Sequence, residues 1–320
     1  MMASRARLLF VGTGIWPRRL AKLVNTHASE LASAKSASLS IANLCVIPIL
    51  VSQSDIVVRV GFRPGMRRPR ARIVDALWKL MSRFDRQTTW VYYWIGSDVL
   101  YQLRDHKASR LTKYFESAIH QIHIAGAPWL ADELDSIGVR AESVLFPLEL
   151  PDTGCVERSV DARHILTYIP DSRPSFYGGD KILRLAREFP DTTFDVVGGT
   201  GTWIDSPPSN ICFHGWVNEL APLLARNPIV IRIVEHDALG GTIREALAAA
   251  CHAIYTMEVP YTVHVAFDDY QKLQAAVADL VASDRERTLK PNREGADYAR
   301  KNWDAARLTV DMTTALVRFC

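Results

Sequence analysis

The residues best suited to chemistry lie in one stretch, residues 234–256, which reads as a strand end, a loop, a helix and a second strand. Three small residues open the helix: Gly240, Gly241 and Thr242. The free N–H groups and the positive dipole end of a helix N-terminus attract anions. Two acids, Asp237 and Glu245, stand eight positions apart on either side of this turn. The stretch could hold a phosphate and a polyhydroxyl ring together, and it could equally be an ordinary strand–loop–helix of an α/β core.

Three more loops in the second half follow predicted strands and could contact a nucleotide diphosphate. Arg173 could pair with a phosphate through its forked guanidinium. Gly199 lies in a glycine-rich loop that lets a ligand approach the backbone. Trp216 and Val217 offer an aromatic ring and main-chain groups at the size of a nucleobase. Glycine at strand–helix turns is common for steric reasons, but several such loops on one sheet edge indicate a ligand site.

The first half begins with a strand, a glycine pair and a helix. Gly12 and Gly14 would let a ligand approach the backbone there. A dinucleotide fingerprint needs a third glycine and an acid about 20 residues further on. Pro17 stands in place of that glycine and residues 36–40 carry no acid, so a nicotinamide-dependent dehydrogenase is disfavoured. Asp98 follows a third strand, where it could face a ligand cleft or cap the next helix.

Both halves alternate strands with helices, which predicts a parallel sheet covered by helices in each. The proline-rich segment 147–154 has the composition of an interdomain linker. We therefore predict two Rossmann-like α/β domains, 1–150 and 151–302, that face each other across a cleft. The C-terminal helix, 303–320, is long enough to leave its own domain and pack on the first.

Five segments of the second half follow one another in a recognisable order. They are 178–186 (GGDKILRLA), 194–199 (FDVVGG), 213–217 (FHGWV), 237–247 (DALGGTIREAL) and 251–256 (CHAIYT). This order resembles the donor-binding domain of GT-B glycosyltransferases, specifically the large retaining group called glycosyltransferase family 4. Asp237 and Glu245 fall on the two acids of that group's E-x7-E motif. In the first half the resemblance extends only to the architecture and to the Gly-Ser-Asp that ends at Asp98.

The resemblance implies a retaining glycosyltransferase that uses a UDP- or GDP-linked sugar and needs no metal or other cofactor. Glu245 would accept hydrogen bonds from the ribose, Asp237 would hold hydroxyls of the donor sugar, and the amides of residues 240–242 would bind the diphosphate. Negative charge builds on the diphosphate as the sugar departs, so donors placed there stabilise the transition state. Arg173 would add a fixed positive charge. No protein nucleophile is implied, because the leaving phosphate would accept the proton.

The sequence departs from the family's pattern in places that bear on the site. The first acid is an aspartate, shorter than the usual glutamate by one methylene, and Glu235 and His236 just upstream are rival ligands for the donor sugar. Gly178 stands where the family has a lysine, which leaves Lys181 and the arginine named above to supply that charge. The family's first-domain histidine is not obvious here, and Asp98 could take its place.

Composition indicates a globular protein, with 48% hydrophobic and 23% charged residues. The sequence has no apolar run of about 18 residues, and the apolar residues 8–11 are too few for a signal-peptide core. The five cysteines are scattered, odd in number and without metal-ligand spacing. Reduced thiols and a cytoplasmic location are therefore expected.

Charge is distributed unevenly, with a net +8 through residue 150 and −5 after it. The segment 63–86, bounded by Arg63 and Arg86, carries eight Lys or Arg against two Asp. One interpretation is a helix with a core-facing apolar stripe and a solvated basic edge. The other is contact with anionic lipid headgroups or an acceptor phosphate, as a peripheral protein on the inner face of the cytoplasmic membrane. With the resemblance, this predicts a lipid-linked or glycan acceptor in cell-envelope polysaccharide synthesis, and no nucleic-acid partner.

Two other functions fit the same scaffold. A nucleotide-sugar 2-epimerase would need carboxylates on both faces of the cleft for proton abstraction. A non-catalytic subunit that binds a nucleotide sugar and activates a partner is suggested by the missing lysine at position 178.

Overall fold

The chain folds into two compact units, each built on its own sheet. In the computed structural model the described residues are 5–40, 43, 45–61, 69–85, 87–104, 121–150 and 164–319. The first unit comprises Met1–Pro147 together with Ala305–Cys320, and the second comprises Leu148–Asp304. The predicted divisions fell after residues 150 and 302, and the predicted linker is described only as far as residue 150.

The first unit contains a parallel sheet of six strands. In chain order they are β1 (Ala6–Gly12), β2 (Ala32–Ser38), β3 (Ile56–Val60), β4 (Thr89–Trp94), β5 (Gln121–Ala125) and β6 (Glu142–Ser143). Across the sheet the order is β2-β1-β3-β4-β5-β6. β3 is buried along its whole length and β4 at every residue but its first. Their β-branched and aromatic residues suit a sheet that is covered on both faces.

Helices connect these strands on either side of the sheet. Within the described residues they are α1 (Trp16–His27), α2 (Ile47–Ser52), α3 (Pro69–Phe84), α4 (Ser97–Arg104) and α5 (Pro128–Ser136). α1 has a proline in its first turn, as the sequence predicted, because proline's fixed φ and missing N–H suit that position.

The buried face of α3 differs from the predicted apolar stripe. Trp78 is fully buried, with its ring edge-on to Trp90 and its Nε1 donating to the Tyr92 hydroxyl at 3.0 Å. Ile73 and Leu80, which were predicted to face the core, are 51% and 54% exposed. The bulkiest ring on the helix is thus the one that packs on the sheet. Residues 63–68 and 86 of the predicted basic segment lie outside the described residues.

Two strands were not predicted, β2 and one at 262–264. β2 has the sequence ASAKSAS, whose small and polar residues carry little intrinsic strand preference. It pairs with β1 from Ala6↔Ala32 to Gly12↔Ser38, and Asn25 bonds both backbone groups of Ala34. The segment is therefore a strand because it pairs with the buried strand β1, and not because of its own residue types.

The second unit contains another parallel sheet of six strands. In chain order they are β7 (His164–Tyr168), β8 (Thr193–Val197), β9 (Ile211–Gly215), β10 (Ile229–Arg232), β11 (His252–Tyr255) and β12 (Thr262–His264). Across the sheet the order is β12-β11-β10-β7-β8-β9. The helices of this unit are α6 (Gly179–Glu188), α7 (Ala221–Arg226), α8 (Gly241–Ala248), α9 (Tyr270–Arg285) and α10 (Arg293–Asn302). The alternation of strands and helices predicted from the sequence is confirmed.

The C-terminal helix, α11 (Ala305–Val317), belongs to the first unit although it follows the second in the chain. Met312, Ala315 and Leu316 are buried in the same core as Phe10 and Leu20. The Thr89 hydroxyl also donates to the carbonyl oxygen of Phe319 at 3.0 Å. The predicted return of this helix to the first domain is confirmed.

The longest of the described helices, α3 and α9, have 16 residues each. None of the helices in the described ranges is long and apolar enough to span a bilayer. Those ranges also hold no group of three or more His, Cys, Asp or Glu residues arranged to bind a metal ion.

Candidate active site

The turn at residues 240–242 begins α8 without a side-chain cap. Gly240 is the N-cap residue, and no hydrogen bond from a described side chain caps this end of the helix. The first N–H groups of α8 therefore point out of the helix with no intrahelical acceptor. Gly240 N–H itself donates to the Tyr255 hydroxyl at 3.3 Å. Of the three predicted phosphate-binding amides, those of Gly241 and Thr242 are the ones placed for a ligand.

Asp237 is held by two partners that the sequence analysis did not name. Its Oδ2 accepts from Arg232 Nε at 2.6 Å and lies 3.0 Å from the Tyr255 hydroxyl. A Cβ at position 240 would fall 2.3 Å from Arg232 Nε and 2.6 Å from Asp237 Oδ2. Gly240 is therefore required for the Arg232–Asp237 ion pair to form beside the turn.

Burial and charge act together on this group of residues. Burial opposes charging the Arg232 guanidinium, but the adjacent Asp237 carboxylate outweighs it and raises the pKa of Arg232. Burial and the same carboxylate raise the pKa of Tyr255 well above its ordinary value. Arg232 is thus charged at neutral pH, and Tyr255 is a neutral hydroxyl. One signal could have found Arg232, namely an arginine inside the apolar run 229–234 with an acid five residues later.

Glu245 lies on α8, one turn after Gly241, so both residues are on the same side of the helix. It is half-buried, whereas Arg244 beside it is buried. The structure thus places Glu245 on the helix whose first amides are open, as the sequence predicted. His236 is buried and Glu235 is half-buried in the loop before the turn.

Arg173 lies over the aromatic residues that follow it. Its Cζ is 4.6 Å from the Phe176 ring centre, and its Nη2 donates to the Tyr177 hydroxyl at 3.3 Å. Its Nη1 is buried and has no hydrogen-bond partner among the described residues. An unpaired guanidinium N–H in such a place suits an anionic ligand.

Position 178 cannot carry a lysine in this backbone. Gly178 has φ +64°, and a Cβ there would lie 2.9 Å from the Ile233 carbonyl oxygen. Lys181, the other candidate, has its ammonium 4.0 Å from the Phe267 ring centre and 3.7 Å from Asp180. The backbone thus excludes a lysine at position 178, and the Lys181 ammonium is placed on Phe267 and Asp180.

The loop at 198–202 is already occupied by a protein carboxylate. The Asp171 oxygens accept from the amides of Thr200, Gly201 and Thr202, and from the Thr200 hydroxyl. The backbone hydrogen bond from Thr200 is the main reason that the pKa of Asp171 is lowered. Gly199 has to be glycine because a Cβ there would lie 2.6 Å from the Ile169 carbonyl oxygen. This loop is thus shaped by Asp171, which the sequence analysis did not single out.

Trp216 directly follows β9 and is 65% exposed. Gly215, with φ +65°, turns the chain before it, and Val217 packs against a buried cluster that includes Leu224. The indole ring is therefore exposed to solvent at the carboxyl edge of the sheet, at the position where the sequence predicts contact with a nucleobase.

The predicted residues of the first unit have structural roles within that unit. A Cβ at Gly12 would lie 2.6 Å from the Val60 carbonyl oxygen, so close strand packing requires this glycine. Gly14 has φ +75° and open space around it. Asp98 is buried in the first turn of α4, and both its oxygens lie 3.1 Å from the Ile95 amide. Asp98 is therefore not the N-cap of α4 as one prediction had it, because the helix already begins at Ser97, and its carboxylate accepts from the preceding Ile95 amide instead.

Two all-parallel α/β units, with a C-terminal helix that returns to the first, define the GT-B fold. Solved structures of similar architecture are glycosyltransferases of this fold. Anabaena Alr3699/HepE in complex with UDP-glucose aligns over 98% of this chain and 100% of its own, with a TM-score of 0.72 at 11% identity. A glycosyltransferase from Rickettsia africae aligns over 99% and 98%, with a TM-score of 0.66 at 12% identity.

The sucrose-phosphate synthase from Thermosynechococcus elongatus aligns over 97% of this chain and 98% of its own, with a TM-score of 0.69 at 12% identity. No protein-family model matches the sequence. No curated protein is significantly similar to it either. At these identities the likeness establishes the GT-B fold, and the assignment to family 4 stays a prediction.

Proposed function

We propose that this protein is a retaining glycosyltransferase that moves a sugar from a UDP- or GDP-linked donor to a lipid-linked or glycan acceptor. One observation carries the proposal: the uncapped N-terminus of α8, with an acid on each side of it, lies at the carboxyl edge of a parallel sheet. In open α/β sheets ligands bind at that edge. The structural similarity to a glycosyltransferase crystallised with UDP-glucose supports a nucleotide sugar as the ligand.

In this proposal the chain supplies charge and position rather than a nucleophile. Glu245 accepts hydrogen bonds from the ribose hydroxyls, and the amides of Gly241 and Thr242 bind the diphosphate. As the bond from the sugar to the phosphate breaks, negative charge grows on the diphosphate, and prearranged donors lower the barrier. The phosphate takes the acceptor's proton, and the sugar is transferred with retention and without a metal ion. Trp216 contacts the base.

The donor is the first thing to test, by thermal shift of the full chain with a panel of UDP- and GDP-sugars. A donor present at about 100 times its Kd stabilises the folded state by about 2.7 kcal/mol. For units of about 150 residues this is a rise in Tm of roughly 5–10 °C. Sugar 1-phosphates without the nucleotide serve as controls. Equal stabilisation by the sugar 1-phosphates, or none by any nucleotide sugar, would contradict the proposed function.

The acceptor is proposed to be bound at an anionic membrane surface through α3. Ile73 and Leu80 are exposed on this helix, and so are Lys79 and Arg83. An exposed apolar and basic face is typical of helices that lie in a lipid headgroup layer. Each Lys or Arg near an anionic surface contributes on the order of 1 kcal/mol.

We expect the protein to sediment with vesicles that contain phosphatidylglycerol, and much less with vesicles of phosphatidylcholine alone. The double variant Ile73→Ser, Leu80→Ser should lose most of this binding because it removes the apolar contact. A matched double variant on α9, Gln271→Ser and Gln274→Ser, should bind as the wild type does. Equal binding to both vesicle types would exclude an electrostatic membrane contact.

The alternative of a non-catalytic subunit is favoured by one observation. Position 178 cannot hold the lysine that the resembled enzymes use, because of its left-handed φ and the nearby Ile233 carbonyl oxygen. Tight nucleotide-sugar binding together with no transfer to any membrane or glycan extract would favour this alternative.

A further inference from the structure

An arginine occupies an unusual place at the end of β10. Arg232 follows three apolar β-branched residues, and only 8% of it is exposed. Within the described residues the one hydrogen bond of its guanidinium runs from Nε to Asp237 Oδ2. A guanidinium has five N–H donors in a rigid fork. The two terminal nitrogens of Arg232 are therefore left for a ligand with several acceptor atoms.

A second guanidinium lies on the same aromatic ring. The Cζ atoms of Arg173 and Arg232 are 5.5 Å and 5.6 Å from the ring centre of Tyr177. In the described part of the chain, Arg173 makes no ion pair and Asp237 is the carboxylate that pairs with Arg232. Counting the described residues alone, two guanidiniums lie on Tyr177 and one carboxylate pairs with them, which is an excess of one positive charge in a largely buried place. A bound anion would neutralise it.

The surroundings connect this pair of arginines to the candidate site. Tyr177 is followed directly by Gly178, the N-cap of α6, and Asp237 is linked through the Tyr255 hydroxyl to the amide of Gly240, the N-cap of α8. Both helix N-termini therefore adjoin the two guanidiniums. The open amides and the two cations are complementary to a diphosphate, which has negatively charged oxygens on two phosphorus atoms.

We propose that Arg232 and Arg173 together bind the diphosphate of the donor, and that Asp237 is a positioning residue that orients Arg232 rather than a ligand of the sugar. This inference rests on the proposed function and refines it. Asp237 fixes Nε, which directs the fork of terminal nitrogens away from the pair. Gly240 leaves the space that the pair needs. The charge that a lysine at position 178 would supply thus comes from the neighbouring strand.

The test is calorimetric binding of pyrophosphate, UDP, UMP and uridine to the wild type and to Arg232→Met, with the guanosine series used if uridine compounds do not bind. Because Arg232→Met removes a charge-assisted contact, the affinity for pyrophosphate and for UDP should fall by about tenfold or more. The affinity for uridine should change by less than about twofold, because uridine has no phosphate for Arg232 to contact. If Arg232 had only a structural role, its substitution would instead lower the affinity for every compound of the panel to the same extent. Arg232→Lys should recover part of the loss, since it restores the charge but not the fork.

Arg232→Met could leave Asp237 buried without its partner, so the double variant Arg232→Met, Asp237→Asn keeps the test decisive by removing both charges. It should show the same selective loss of diphosphate binding. Asp237→Asn alone should leave the ratio of UDP-sugar affinity to UDP affinity unchanged. If Asp237 contacted the donor sugar directly, the substitution would lower this ratio. Arg184→Met, an exposed arginine of α6 paired with Glu188, is the matched control and should change nothing.

The outcomes separate the inference from the proposed function. If the wild type binds neither the uridine nor the guanosine diphosphate, the proposed function fails and the inference falls with it. If the wild type binds UDP or GDP but the Arg232 variants keep the same preference for diphosphate over nucleoside, the inference alone is overturned. A selective fall in UDP-sugar affinity for Asp237→Asn would overturn the positioning role.

Discussion

Replacing Glu245 with alanine is expected to lower kcat/KM for sugar transfer by about 100-fold or more while the protein stays folded. The carboxylate would accept hydrogen bonds from two ribose hydroxyls. Each hydrogen bond to a charged group contributes about 1.5–3 kcal/mol, and about 1.4 kcal/mol corresponds to a factor of ten. Initial rates with the donor found by thermal shift, measured over a range of donor concentrations, give the ratio directly.

The variants around this position separate ribose binding from a general loss of charge. Glu245→Gln keeps the shape and one acceptor oxygen, so its rate should lie between those of the wild type and the alanine variant. Glu286→Ala removes an exposed carboxylate at the end of α9 and should transfer sugar at the wild-type rate. An unchanged unfolding transition for Glu245→Ala shows that the fold is intact. Sugar transfer by Glu245→Ala at the wild-type rate would contradict the assignment of Glu245 to the donor site.

Replacing Asp195 with alanine is expected to destabilise the second unit by about 2–4 kcal/mol. Asp195 lies on β8, and its side chain is 1% exposed. Its oxygens lie 2.6 Å from His214 Nε2 and 3.2 Å from His164 Nδ1, and they accept from Arg226 at 2.9 Å and from the buried Asn227 amide at 3.0 Å. Truncation leaves these groups without their shared acceptor. Chemical unfolding followed by intrinsic fluorescence measures the loss.

The same carboxylate predicts how stability depends on pH. Burial opposes ionisation of Asp195, but hydrogen bonds from His214 and Asn227 and the charge of Arg226 outweigh it, so its pKa is lowered. A group whose pKa is lower in the folded state stabilises the fold above its unfolded pKa, about 3.9, and loses that contribution as pH falls through the folded value. Wild-type stability should therefore fall below about pH 4, and Asp195→Ala should show less of this fall.

Two controls make the Asp195 prediction specific. Asp195→Asn retains an oxygen acceptor, so its free energy of unfolding should lie between those of wild type and alanine variant. Asp191→Ala removes an exposed acid paired with Arg285 at 3.2 Å and should cost less than about 1 kcal/mol. If Asp195→Ala and Asp191→Ala were equally stable, the buried cluster would not contribute to stability.

Much of the fold follows from local patterns. The β-branched run at 229–234 and the aromatic strand at 89–94 alternate with amphipathic helices, and that alternation specifies parallel sheets. The two strands that were not predicted, β2 and β12, have little pattern of their own. β2 pairs with β1, and β12 pairs with β11 over three residues at the edge of its sheet. β2 is thus specified by a partner 26 residues away and β12 by a partner nine residues away, rather than by a pattern of its own residues.

The residues of the candidate site also divide into those that the sequence predicted and those that it did not. The glycine turn and Glu245 could be predicted because a helix N-terminus and the residue one turn later are related by helix geometry alone. Tyr255 could not, because its contact with Asp237 joins β11 to the loop before α8 across 18 residues. Arg232 was missed although it lies only five residues before Asp237, because the pair forms only when the chain turns after β10. Asp171 was missed for the same reason as Tyr255, since its carboxylate caps a loop 29 residues away.

By itself the sequence determined two α/β units, a returning C-terminal helix and a glycine turn that opens a helix between two acids. Those features depend on the periodicity of side chains and on the geometry of a helix end, which are local properties of the chain. Only the tertiary structure decided how each acid is held: Glu245 is half-buried on α8, while Asp237 is paired with Arg232. A carboxylate's role depends on the nearest opposite charge, and the turn of the chain after β10 brings Asp237 back onto Arg232.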